Sequence, residues 1–585
     1  MTDTIKASVA MLRVIESYGV DHLYGLPGGS FSTTMDALYD EQAKLKFIQV
    51  KHEEVGAMAA TADAKLTGKI GVAFGSAGPG ATHLFNGLYD AKMDGVPMLA
   101  LIGQVKQSAM NFDSFQEMDE VPMFGDVSVY NRTVTTAESL PHVIDEAIRI
   151  AYQQHGVATV VIPNDLGAKL IPDTPYSSAE SYREPTATMA PNEEDVLAAL
   201  NLIKSAKRPV LFVGMGAKNA PDEVIALAKR LSMPIITTAI AKGVLPDDTE
   251  MHLGSANRVA QKPANDALKE ADLVVMIGSN WPFAVGNLLP EQKFIQIDND
   301  SSKFGRRHHV DVGILADAKA VIERLLALTK DSEPTAWYNA NLANIKNWRA
   351  YLTMMMNRTD ADGPLGVEPV FKEINRISTA DAVYGIDVGD INMNSVRYLN
   401  MTGEQKWVTS GLFATMGYGV PAALAGKLSF PDRQVFNLAG DGAFSMVMQD
   451  IDTEVRNNLQ IINVIFTNRQ LGFIVDEQED AQQPRFGVYM TDNDYAKIAE
   501  AQGAIGITVT KQSELAAAFD RARDADKPVL IDVKVTADRP IPVEALQLDP
   551  AKFSAEEIAT FKERYHADDL VPFSAFLTEY GVAEK

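Results

Sequence analysis

Short apolar runs, each closed by glycine, proline or polar turn residues, recur along this chain and alternate with helix-length segments. In the first third they lie at 47–50, 70–74, 97–102 and 158–162. A short, continuous apolar run bounded by turn signals reads as a strand buried on both faces. Residues 53–65 and 81–91 between them carry a helical pattern. Strands alternating with helices predict a parallel sheet covered on both sides. The pattern repeats twice, with runs at 209–213, 234–237, 273–277 and 294–297, and then at 382–386, 435–438, 461–466 and 528–533. Polar, proline-bounded stretches at 182–191 and 331–334 separate the blocks. The expected architecture is α/β, with three doubly wound parallel-sheet domains spanning 1–185, 186–336 and 337–585, the last ending in a charged, helix-like tail.

At 585 residues the chain is too long for one core, and its 46% hydrophobic and 22% charged content is ordinary for globular domains. Net charge narrows the partners. A formal charge of −24 disfavours nucleic acid and anionic membranes, whose phosphates demand basic surface. No apolar run approaches a bilayer span, and the start Met1-Thr2-Asp3-Thr4-Ile5-Lys6 lacks a signal peptide's apolar core, so a soluble, cytoplasmic protein is expected. The absence of cysteine excludes disulfides, thiolate metal sites and cysteine nucleophiles.

Two expected strand ends carry chemistry. The run at 435–438 leads into Gly440-Asp441-Gly442, and that at 461–466 into Thr467-Asn468-Arg469-Gln470. Asp441 and Asn468 would then sit at the carboxyl ends of two strands of one sheet, outside which open α/β sheets bind ligands. One carboxylate, one amide oxygen and a nearby backbone carbonyl make a hard-oxygen set suited to Mg²⁺ with waters and diphosphate oxygens. The flanking glycines let the backbone approach a phosphate closely. Alone, Gly-Asp-Gly is also a plain turn. Glu53 opens the alanine-rich helical segment after the run at 47–50; a carboxylate there also simply favours the helix dipole, the reading that suits Glu54. His83, after the glycine-rich stretch 75–80, either faces the same pocket or is a capping or core histidine. Gly214-Met215-Gly216 begins like a dinucleotide fingerprint but lacks its third glycine.

Together, Asp441 and Asn468 at this spacing resemble the diphosphate–magnesium motif of thiamine-diphosphate (ThDP) enzymes, and His52-Glu53-Glu54 resembles the context of that family's activating glutamate. Segments 114–118, 254–265 and 470–480 narrow the resemblance to the phosphate-dependent, acetyl-phosphate-forming pyruvate oxidases. It covers nearly the whole chain and implies an N-terminal pyrimidine domain, a central FAD-binding domain and a C-terminal diphosphate domain. It further implies that Asp441, Asn468 and the carbonyl of Gln470 hold Mg²⁺. Glu53 would hydrogen-bond the aminopyrimidine of ThDP, and Met416 would prop the cofactor in its bent form, although a methionine in an apolar run is ordinarily core filler. Gly29, Ser30, Val388, Gly442, Ala443, Leu471 and Gly472 would contact ThDP. FAD would meet Gly214, Gly216, Thr238, Ser255, Asn257, Arg258, Gly278, Asn280, Asp298 and Asp317. Phe115 and Gln116 would lie between thiazolium and flavin, and Phe473, Glu477 and His83 on the substrate side. For Phe115 and Phe473 the alternative is a core aromatic, and for Glu477 a solvated helix face.

The implied reaction takes pyruvate, phosphate and oxygen to acetyl phosphate, carbon dioxide and hydrogen peroxide, in a homo-oligomer, at least a dimer and expected to be a tetramer, with active sites at subunit interfaces. The alternatives are an acetolactate synthase-like ThDP/FAD carboligase, a quinone-linked dehydrogenase with a membrane-binding C-terminus, and a cofactor-holding regulatory module without catalysis. The acidic, mixed tail at 553–564 disfavours lipid binding. The joint presence of Glu53, Asp441 and Asn468 argues against an inactive module.

Overall fold

The computed structural model describes residues 3–181, 189–257, 261–284, 287–359, 365–481, 483–540, 550 and 554–565. In the N-terminal part the strands are β1 (Thr4–Lys6), β2 (His22–Gly25), β3 (Lys46–Gln49), β4 (Gly71–Gly75), β5 (Met98–Gln104), β6 (Ser128–Thr133), β7 (Val157–Pro163) and β8 (Leu170–Pro172). β1 and β8 form a small antiparallel pair, and the other six make one parallel sheet in the order β3-β2-β4-β5-β7-β6. The central sheet contains β9 (Pro209–Val213), β10 (Ile235–Thr237), β11 (His252–Ser255), β12 (Leu273–Ile277), β13 (Lys293–Asp298) and β14 (Val312–Leu315), in the order β11-β10-β9-β12-β13-β14. The C-terminal sheet contains β15 (Val383–Ile386), β16 (Lys406–Thr409), β17 (Val435–Gly440), β18 (Ile461–Thr467), β19 (Ile505–Val509) and β20 (Val529–Lys534), in the order β16-β15-β17-β18-β20-β19. All three large sheets are parallel.

The chain thus builds three α/β layers, as the apolar runs predict. The outer sheets share one winding, and the central sheet has the classical dinucleotide order, with its reversal between β9 and β12. Every residue of β5, β7 and β18 is buried, which is why these strands are continuous apolar runs.

Six strands of these sheets, besides the β1–β8 pair, go beyond the runs read from the sequence: β2, β6, β11, β14, β16 and β19. Five are edge strands. On β6, β14, β16 and β19 burial is partial, so polar residues interrupt the apolar pattern. β11 is an edge covered by another element, since Arg349 of helix Ala336–Asn357 donates to the backbone oxygen of His252. β2 is interior but only four residues long and begins on the polar His22.

The N- and C-terminal layers meet through helices Glu53–Thr67 and Gly419–Ser429, whose small, buried side chains join one apolar cluster. Of the charged tail, the helix Ala555–Tyr565 is described. The linker at 182–188 and Arg258 lie outside the described residues.

Candidate active site

β17 and β18 are neighbours in register, Gly440 opposite Phe466, so the residues that follow them emerge side by side. Asp441 is the first residue of helix Asp441–Val447 and is buried. Its Oδ2 accepts the Arg469 N–H at 2.8 Å and its Oδ1 the Gly442 N–H at 3.0 Å, so the carboxylate ties the two strand ends together. The Asn468 side chain accepts the Gln470 N–H at 3.0 Å, closing a tight turn in which Arg469 has φ 62°. A short antiparallel return supports that turn: Leu471 N–H donates to Val488 and Met490 N–H to Arg469, each at 2.8 Å. Asp441, Asn468 and the backbone at Gln470 are thereby gathered at one end of the sheet.

Burial pushes the Asp441 carboxyl up to about 6. A cation binding there must displace a proton below that pH and none above it. Mg²⁺ affinity in the presence of ThDP is therefore expected to be flat above about pH 6 and to fall by up to about tenfold per unit below it. Magnesium titrations between about pH 5 and pH 7 check this; an affinity constant across that interval contradicts it.

Two close approaches shape the wall of this pocket. A Cβ on Gly442 would lie 2.8 Å from Leu471 and 3.5 Å from Met416, and one on Gly472 would collide with Asp390 at 1.8 Å. Ala443 is buried beside them. Phe473 is half-buried and Glu477 exposed, both on helix Gly472–Asp480, so neither is a core residue of the chain.

Asp387, absent from the sequence expectations, organises the opposite wall. It follows β15, is fully buried, and accepts four backbone N–H groups: Val388, Gly417, Tyr418 and Gly419, at 2.8, 2.9, 3.2 and 2.9 Å. Burial raises it to about 6 despite those donors. It caps the Gly419–Ser429 helix and fixes the segment carrying Met416. The N-terminal layer grips the same segment. Asp94 accepts the N–H groups of Gly411 and Leu412 at 3.0 and 2.9 Å, and Asp90 accepts the Ser410 hydroxyl at 2.6 Å. Lys65 bridges Asp90 and Asp94, both at 2.7 Å, and donates to the Thr409 carbonyl. Burial alone would lower the Lys65 ammonium, but the two aspartates hold it well above its ordinary value.

On the N-terminal sheet, Glu53 opens its helix after β3 and is 5% exposed, so its first-turn carboxylate, which also suits the helix dipole, is held inside the protein. Its Oε2 lies 2.9 Å from His83 Nδ1. His83 is therefore neither a helix cap nor a core residue; its ring is 40% exposed and stacks on His52. Glu54 conforms to expectation, being half-exposed at the helix start. The loops after β2 and β4 close around Glu53: Ser30 Oγ is 2.6 Å from Ser76 Oγ and accepts the Ala77 N–H, and a Cβ on Gly80 would meet Glu53 Oε1 at 2.9 Å. Gly29 has open space beside it. Gly78, with φ 70°, lies against Gln116, whose own φ is 64°. This brings Gln116 to the rim of the Glu53 pocket.

Phe115 beside it is 88% exposed, which rules out the core-aromatic alternative for the chain. Phe115→Ala is expected to shift the melting transition by far less than the roughly 3–5 kcal/mol of a core Phe→Ala change. A loss of that size in a thermal melt of the dissociated, cofactor-free chain contradicts the placement.

In the central domain the loops after β9 and β12 touch. Gly216 N–H donates to Gly278 at 3.0 Å, and a Cβ on Gly214 or Gly216 would lie 2.4 or 2.6 Å from Gly278. These glycines are explained by loop-on-loop packing at the sheet's reversal point. More pointed are Thr238 Oγ1 and Asn280 Oδ1, which are buried and lack a hydrogen-bond partner among the described residues. Ser255 and Asp298 are buried at the ends of β11 and β13, and Asn257, with φ 94°, is held by Asn265. Burial raises the Asp298 carboxyl above its usual range. Asp317 caps helix Ala318–Leu328 and borders a cavity of about 400 Å³ shared with Gly216, Asn219 and Lys319. Orphaned polar atoms in the loops after β10 and β12 are groups that a bound polar ligand would satisfy.

Residues 5–123, 196–325 and 387–533 match the family models for the N-terminal TPP binding domain, the central domain and the C-terminal TPP binding domain of thiamine pyrophosphate enzymes. The chain is 51% identical over 584 residues to a pyruvate oxidase of Lactiplantibacillus plantarum, covering 99% of this chain and 96% of the relative. It is 40% identical over 537 residues to a putative thiamine pyrophosphate-containing protein of Bacillus subtilis, covering 92% of each. An acetolactate synthase of Mycobacterium bovis is 31% identical over 553 residues, covering 90% and 88%.

Proposed function

The chain belongs to the thiamine pyrophosphate enzymes, and from that premise we propose that it is a pyruvate oxidase, converting pyruvate, phosphate and oxygen to acetyl phosphate, carbon dioxide and hydrogen peroxide. The observation that carries this is the pairing of near-complete coverage at 51% identity with a hard-oxygen set at adjacent strand ends. The acetolactate synthase relatives stand at 30–33%. When bound, ThDP supplies a carbon nucleophile that stabilises the charge left by decarboxylation, and FAD accepts two electrons.

The chain's own residues bind, orient and move protons. Asp441, Asn468 and the Gln470 carbonyl hold Mg²⁺ against the diphosphate. Glu53, buried and hydrogen-bonded to His83, shares a proton with the pyrimidine ring nitrogen. Met416, whose segment is held from both sides by Asp387 and Asp94, would support the cofactor, and Gly29, Ser30, Val388, Gly442, Ala443, Leu471 and Gly472 would contact it. Thr238 and Asn280 offer their orphaned oxygens to FAD, in company with Gly214, Gly216, Ser255, Asn257, Arg258, Gly278, Asp298 and Asp317. Phe115 and Gln116 would lie between the two cofactors, and Phe473 and Glu477 would border the pyruvate side.

The domains run 1–185, 186–336 and 337–585. The working form is a cytoplasmic homo-oligomer, a tetramer, with the pyrimidine half-site of one chain facing the diphosphate half-site of another. Exposed aromatics near the two half-sites, Phe115, Phe486 and Tyr489 at 88%, 83% and 68%, support such a cover. Among the described residues no helix is long and apolar enough to cross a membrane.

The purified protein is expected to be yellow, and pyruvate without oxygen to bleach it. In Phe115→Ala the bleaching is expected to slow while flavin content is kept. A flavin that stays oxidised with pyruvate favours the acetolactate synthase reading.

A further inference from the structure

We propose that His52, Glu53 and His83 form a second cation site, selective for a borderline transition ion such as Zn²⁺, whose occupation competes with cofactor loading. One ligand atom from each residue lies within 4.8 Å of the other two. Glu53 Oε2 and His83 Nδ1 are 2.9 Å apart. In a tetrahedral zinc site with bonds of 2.0–2.1 Å, neighbouring donors sit about 3.3 Å apart, so this pair is already near the required bite. The His52 ring stacks on that of His83, with centroids 4.1 Å apart and planes at 27°, so the His52 side chain must turn out of the stack to aim a nitrogen at the third corner.

Charge and access fit a divalent ion. Glu54 adds a second carboxylate 3.7 Å from His52 Nδ1, while the nearby Lys51 ammonium is taken by Asp452. In the separate chain the two imidazole side chains are 38% and 40% exposed, whereas that of Glu53 is 7% exposed, so an ion reaching this half-site enters past the rings and meets the carboxylate at the bottom. Two nitrogens and one oxygen suit Zn²⁺ and leave a fourth position for water. The oxygen-only set around Asp441 suits Mg²⁺ instead. The two sites therefore sort metals by donor chemistry.

Binding of the ion needs only this geometry. Competition rests on the proposed function, because the ion would take the Glu53 oxygen assigned there to the pyrimidine. His52 is assigned no contact with the cofactor; it stacks on His83, and its Nδ1 accepts the Glu54 N–H as a helix cap, which asparagine can also do.

The test is calorimetric titration of the untagged, full-length, ThDP-free chain and of His52→Asn with zinc chloride, each repeated with excess Mg²⁺ and ThDP. We expect one strong zinc site per chain, weakened at least about tenfold in His52→Asn, and weakened again in the parent by ThDP. Zinc is also expected to inhibit pyruvate turnover by the parent more strongly than by His52→Asn, each measured against its own zinc-free rate. Absence of binding, or superimposable isotherms for parent and variant, overturns the site. Zinc binding that depends on His52 but ignores ThDP overturns the competition and counts against Glu53 as the cofactor's partner, leaving the rest of the functional reading to stand or fall on flavin bleaching.

Discussion

Asp441→Ala is expected to abolish retention of Mg²⁺ and ThDP while the central domain stays folded. Asp441 is the only carboxylate of the proposed metal set, and it is buried at the tip of β17. Truncating one partner of a buried charge pair costs about 2–5 kcal/mol, which is roughly 30-fold to several thousandfold in affinity. Alanine also strands the N–H groups of Arg469 and Gly442 that now bond the carboxylate. Asp441→Asn separates the two losses, because the amide keeps an acceptor oxygen while removing the charge; it too should lose the cofactor. The central sheet has its own apolar cluster, so flavin absorbance should persist in both variants. Titration of each variant with ThDP and Mg²⁺ checks the prediction, and parental affinity in either one contradicts the metal assignment.

Glu53→Gln should bind the cofactor yet activate it slowly. An amide preserves a hydrogen bond in the pocket formed by Gly80 and His83 but cannot hand over a proton. Removing one positioned acid/base group slows proton transfer by about 10²–10⁴-fold. Exchange of the thiazolium proton for deuterium, followed by quenched-flow NMR, reads this step apart from turnover. A parental exchange rate in Glu53→Gln removes Glu53 from the account.

The strand-end placement of Asp441 and Asn468 was legible because each closes an apolar run, and the fold supplies the adjacency that such runs imply. Glu53 was legible only through its segment, since composition alone fits a dipole-favouring glutamate equally well. Edge strands such as β14 and β19 escaped because one flank meets solvent and their apolar pattern breaks. Asp387 was missed although Ile386-Asp387-Val388-Gly389 has the strand-end, aspartate and glycine order of Gly440-Asp441-Gly442; that parallel was the available signal. Asp90 and Asp94 share one face of helix Phe85–Asp94 at i,i+4 spacing, but nothing local pairs them with Lys65 on helix Glu53–Thr67 or with Ser410 after β16, since only the packing of these elements brings the four together. Gly214, Gly216 and Gly278 carry a second constraint that the sequence does not show: a Cβ on any of them would meet the backbone of the facing loop. The orphaned polar atoms of Thr238 and Asn280 likewise had no signal in the sequence.

The most direct measurement is of products. Purified protein reconstituted with ThDP, Mg²⁺ and FAD is supplied with pyruvate and oxygen, with and without phosphate, and hydrogen peroxide, acetyl phosphate and acetolactate are quantified. The account predicts peroxide and acetyl phosphate in equal amounts, with acetyl phosphate absent when phosphate is withheld. Pyruvate consumed to acetolactate, with no peroxide in either condition, contradicts it.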